Sequence, residues 1–112
     1  MTIYCLRIQY TQEAIAAIIK SGSNREDIAR AATESVGGKL HGFYGIFGDP
    51  QGYHVMLIAE MPGNAEYIAT VASAAAGGAL ARFTTNVLYT GEDVVKAAAI
   101  VAGGKVDYQP PS

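Results

Sequence analysis

The chain has 112 residues, half of them hydrophobic and only 16% charged, which is one domain with more apolar surface than so small a body hides alone. The net charge of −2, with no run of Lys or Arg, argues against nucleic acid as a generic partner. The first residues show no secretory pattern, no apolar run nears the ~20 residues that span a bilayer, and the single Cys5 has no internal disulfide partner. A cytoplasmic protein with no membrane partner, associating with copies of itself, is the expectation.

Thr2 to Tyr10 alternates as a strand, with Tyr4, Leu6, Ile8 and Tyr10 on one face and Ile3, Cys5, Arg7 and Gln9 on the other. Thr11 reads as the N-cap of a short helix, Gln12 to Ile19. Ser23 with Glu26 reads as the capping box of a second, Asn24 to about Val36. Lys39 to Phe47 and Tyr53 to Glu60 read as a β-hairpin around Gly48-Asp49-Pro50-Gln51-Gly52. In that loop glycine frees φ, aspartate bonds back to the backbone and proline presets φ.

A third helix follows from Pro62-Gly63-Asn64 to about Ala76, with Tyr67, Ile68, Val71, Ala72 and Ala75 on its inner side. Leu80 to Tyr89 is the fourth strand. Thr90 caps a last helix from Glu92 to about Ala102, with acids at its positive end. Residues 1–104 form the domain. Lys105 to Ser112, carrying Pro110-Pro111, is an aperiodic tail, expected to be dispensable for the core fold.

The order β-α-(α)-β-β-α-β-α predicts an α+β fold: a ferredoxin-like βαββαβ sandwich with an extra C-terminal helix. Both parities of the first strand and of the hairpin carry large apolar residues, so the face without helices needs a cover as well. The same face of a second copy supplies it most simply, giving a homo-oligomer, a dimer or a multiple of dimers.

The pattern Gly42-Phe43-Tyr44, Gly48, then Gly52-Tyr53-His54-Val55 running to Glu60, preceded by the Ser-Asn-Arg-Glu helix and followed by an alanine-rich one, resembles the GYD-domain proteins. The likeness extends to about Ala102 and implies a dimeric α/β barrel. The hairpin is also similar to that of the effector-binding domains of leucine-responsive-type regulators. Two departures stand out: His54 occupies the place of the aspartate that ends the family's namesake triplet, and Asp49-Pro50-Gln51 is an extra insertion between the glycines.

His41 and His54 are the only histidines. If Phe47 pairs with Gly52 they share a face but stand roughly 13 Å apart at strand rise. If the pairing slips by one they face opposite ways. Neither arrangement brings two imidazoles onto one metal ion, and no metal or cofactor is expected. His54 alone is the catalytic candidate, as a general base, because an unperturbed imidazole titrates near neutrality. A hydrogen-bonded structural role at a strand start is the stronger alternative.

Setting Arg7 opposite Thr84 places Cys5, Arg7 and Gln9 on one face with Asn86, Thr84 and Arg82, and leaves Leu6, Ile8, Phe83 and Val87 for the helices. On the barrel that the resemblance implies, the polar face is the interior. Arg7, Arg82 and Asn86, with Tyr44 and Tyr53 bracketing the loop, are then the ligand-binding candidates, suited to an anionic or carbonyl-bearing small molecule; the alternative is that the arginines reach the barrel rim or pair with Glu60 or Glu66, and that the tyrosines pack. Three functions follow: a homo-oligomeric small-molecule-binding protein, a cofactor-independent enzyme of the monooxygenase or isomerase kind found on such barrels, or a structural assembly subunit.

Overall fold

The computed structural model covers residues 1–112. Its centre is β1 (Thr2–Tyr10), flanked on one side by β3 (Val55–Met61) and then β2 (Lys39–Gly45), and on the other by β4 (Leu80–Leu88). Every pairing is antiparallel. With α1 (Gln12–Ser21), α2 (Arg25–Ser35), α3 (Asn64–Ala76) and α4 (Gly91–Ala102), the fold is α+β, in a strand order compatible with the ferredoxin-like arrangement. No helix is long and apolar enough to cross a membrane.

Alternation along β1 decides the layers. Tyr4, Leu6 and Ile8 point to the helices and are buried with Leu57, Ala59 and Met61 of β3 and with Tyr67 and Val71 of α3. Tyr4 and Tyr67 stack with ring centroids 4.0 Å apart. Their hydroxyls are both satisfied, Tyr4 donating to the Asn64 side chain and Tyr67 sharing a 2.7 Å bond with Thr85. Arg7 stands opposite Thr84, Cys5 opposite Asn86 and Gln9 opposite Arg82, the register expected from sorting polar from apolar residues.

The structure corrects the sequence reading in four places. Asn24, not Ser23, caps α2: its Oδ1 accepts the amides of Glu26 and Asp27, while Ser23 donates its own amide to Ser21. On α3 only Tyr67 and Val71 are buried, and Ile68 is exposed, because a single row at i, i+4 reaches the sheet. The hairpin strands stop early, at Gly45 and Val55, so that the connection runs over residues 46–54.

The fourth correction is a bulge. Register shifts between Leu40 and Gly42, leaving His41 as the extra residue. Leu40 and Phe43 therefore both reach the helix side although three positions separate them. Simple alternation along β2 would have put them on opposite faces.

Candidate functional site

On the face of the sheet that carries no helix, Arg7 Nη1 donates to Asn86 Oδ1 at 3.1 Å. One step along, Arg82 donates from Nε to Gln9 Oε1 and from Nη1 to the Tyr53 hydroxyl, both at 3.1 Å, with its guanidinium 4.3 Å from the Tyr53 ring centroid. Since Arg7 faces Thr84, Arg7 and Arg82 are diagonal neighbours, ~7–8 Å apart by sheet geometry. The ion pairs of the structure join Arg30 to Glu26 and Asp27, and His41 to Glu60; neither Arg7 nor Arg82 meets a carboxylate. Their partners are neutral amides and a phenol, so both charges stay uncompensated.

The loop is built onto this cluster. The amide of Gly52 donates to the Asp49 carbonyl at 2.9 Å and that of Tyr53 to the Asp49 carboxylate at 2.9 Å, closing a turn around Pro50 and Gln51. Gly52 has φ +83°, and a Cβ there would stand 3.2 Å from Gln9 Nε2 and 3.4 Å from Arg82 Nη2. Glycine thus serves twice, for the left-handed backbone and for the close approach of Gln9, which in turn accepts from Arg82. Tyr53 is buried beneath. Tyr44 lies across β3 from Arg7, opposite Met56, and is exposed, its ring folded over Gly42. It does not join the Arg82 cluster.

His54 sits at the edge of the ladder. Its amide donates to the Ile8 carbonyl at 2.8 Å, its carbonyl accepts from Ile46 at 2.8 Å, and its Nδ1 accepts the Tyr10 amide at 3.1 Å. The imidazole fills the place of a backbone acceptor where β1 outruns β3. His41 Nε2 is bonded to Glu60 at 2.8 Å. The two histidines serve separate places, His41 at the bulge and His54 at the strand start.

A large concavity lies elsewhere. Between the sheet and the splayed helices α1, α2 and α3 runs an apolar trough of about 860 Å3, floored by Leu6, Ile8 and Leu57. None of the residues named from sequence as catalytic or ligand-binding candidates lines it. Its polar groups include Tyr10, Glu13, Arg25 and Tyr67. Burial pushes the Tyr10 phenol above its ordinary value, offset in part by the Arg25 guanidinium beside it. Burial raises Tyr67 as well, against the bond from Thr85. Sequence reasoning passed over Arg25; its one signal is a cation in the first turn of α2, opposing the helix dipole where an acid is favoured.

The GYD-domain family model matches residues 4–98, taking in all of the sheet but Thr2 and Ile3, and the loop cluster. The chain belongs to the GYD-domain family. No protein of curated function matches it. The triplet that names the family is Gly52-Tyr53-His54 here. Gly52 supplies backbone freedom, Tyr53 a seat for Arg82, and His54 an acceptor for the Tyr10 amide.

Proposed function

We propose that this GYD-domain protein is the subunit of a homo-oligomer that binds a small amphipathic molecule, apolar along most of its length with an acidic or carbonyl end. The trough carries this reading. About 860 Å3 lies within the range of small-molecule sites, its walls are mostly apolar, and Tyr10 and Arg25 offer a donor and a cation. Native mass spectrometry of the protein as isolated reads subunit number and any retained ligand together. Titration with decanoate, followed by displacement of anilinonaphthalene sulfonate, tests the polar end. Arg25→Gln should weaken decanoate roughly tenfold, the worth of one charge-assisted hydrogen bond, and leave decanol unchanged. Equal loss for both, or no binding of either, overturns the reading.

The uncompensated Arg7 and Arg82 favour a second site for an anionic group on the helix-free sheet face, with Asn86 and Tyr53 around it. In a dimeric α/β barrel this face would be the interior. Arg82→Gln should then abolish binding of a ligand that Arg25→Gln spares. An enzymatic reading with His54 as base is less well supported, because the Tyr10 amide occupies the Nδ1 lone pair, which puts the proton of the neutral ring on Nε2 and leaves no free nitrogen to accept another. The role of an assembly subunit draws on the exposed, alanine-rich α4.

A further inference from the structure

None of the twelve residues of α4 is buried. Val94, Val95, Ile100 and Val101 are 52%, 68%, 47% and 67% exposed, and the helix makes no substantial contact with any other element of its own chain. It is nevertheless fully formed. Thr90 Oγ1 accepts the Asp93 amide and the Asp93 carboxylate accepts the Thr90 amide, a reciprocal cap that fixes the first turn. A helix of that length without tertiary contacts is marginal in water, and most helical stability comes from a packed apolar face.

The whole molecule carries the same mark. It measures 58 × 33 × 23 Å with a radius of gyration of 17.7 Å, against ~13 Å expected for a compact domain of this length. Its accessible surface is 7604 Å2, where the scaling for a compact monomer of 11.7 kDa gives ~5,900 Å2. The excess, roughly 1,700 Å2 per chain, lies within what an obligate dimer buries on each side, and exceeds the ~800 Å2 of a standard interface. The segment after Tyr89, all of it exposed, accounts for much of it.

From these observations we infer that α4 is an arm exchanged between copies: it docks its valine and isoleucine side chains on the body of a second copy of this chain. This rests on the homo-oligomeric part of the proposed function and adds the element that clasps the partner. Other apolar side chains left wet on the body are available to receive it, among them Ile19 of α1, Ile68 of α3 and Val87 of β4.

The test uses the full chain, wild type and a Val95→Asp, Val101→Asp double variant. Mass is read by light scattering, and hydrogen exchange is read over residues 94–102 and over β1. In the wild type, α4 amides should be protected, and the protection should fall on dilution together with the mass. The double variant should lose mass and α4 protection while β1 stays protected. If it fails to fold, wild-type chains of two isotopic compositions, mixed and cross-linked at Lys96, give the same answer: mixed-isotope links from Lys96 to the partner's body support the arm, and links within one chain only overturn it. Protection of α4 that does not depend on concentration overturns it too. A wild-type monomer removes both the arm and the homo-oligomer. An unchanged assembly in the double variant removes the arm alone, and decanoate binding to the same samples reports on the trough separately.

Discussion

His54 Nδ1 accepts the backbone N–H of Tyr10 at 3.1 Å, so a side chain completes the hydrogen bonding of β1 where its neighbour strand has ended. The role needs an acceptor and no particular acid. His54→Asp should retain the bond and keep stability within about 0.5 kcal/mol of the wild type. His54→Leu strands a half-buried amide and should cost about 1–3 kcal/mol in urea denaturation. Equal stability of the Leu and Asp variants would show that the bond contributes nothing.

Gly52→Ala should cost about 1–2 kcal/mol from its left-handed backbone alone. The new methyl would also press on Gln9 and Arg82, so the Arg82–Tyr53 pair should loosen, seen as a changed tyrosine fluorescence. An unchanged melting temperature would show that the loop relaxes freely.

Met56 and Ile58 are half-buried on the helix-free face, beside Arg7 and Cys5 of β1. Met56→Asp or Ile58→Asp should break assembly or prevent folding, as read by light scattering and circular dichroism. A soluble variant of unchanged mass would mean that this face is not an interface.

Tyr67 holds its proton more tightly folded than unfolded, since burial raises its phenol above 10.0. Stability from this group is complete below that value and falls as pH rises through the folded one. Tyr67→Phe should therefore flatten the alkaline limb of the stability profile. It should also cost about 1 kcal/mol at neutrality for the lost bond to Thr85.

Asp93 shows the opposite sign. The Thr90 amide, with help from the Thr90 hydroxyl and Lys96, holds its carboxyl below 3.8. Its contribution is present above that value and lost as pH falls through the lower folded one. The protection factors of the α4 amides should fall across that acid window, and Asp93→Asn should remove the dependence.

Sequence carried the architecture because alternation in β1 and β4 is clean: opposing Arg7 to Thr84 is the one pairing that sorts charge from core, and the structure has it. Glycine pairs and threonine caps marked the helix ends for the same local reason. The trough was hidden, since it arises from how far α1 and α2 splay from the sheet, a property of packing that no residue spells out. Arg7, Arg82 and Asn86 were placed on one face correctly, but that Arg82 would meet Tyr53 depended on a loop fold fixed by Asp49 and Gly52 together. Phe43 was unreadable for a third reason, the phase slip at His41.

That slip has a consequence for how the chain can change length. Removing one residue from the middle of a regular strand turns everything beyond it inside out. In β2 the surplus residue already sits at position 41, and its deletion would leave Leu40 and Phe43 two positions apart, both still facing inward. Position 41 is thus a place where related chains can gain or lose a codon while the interior stays the same.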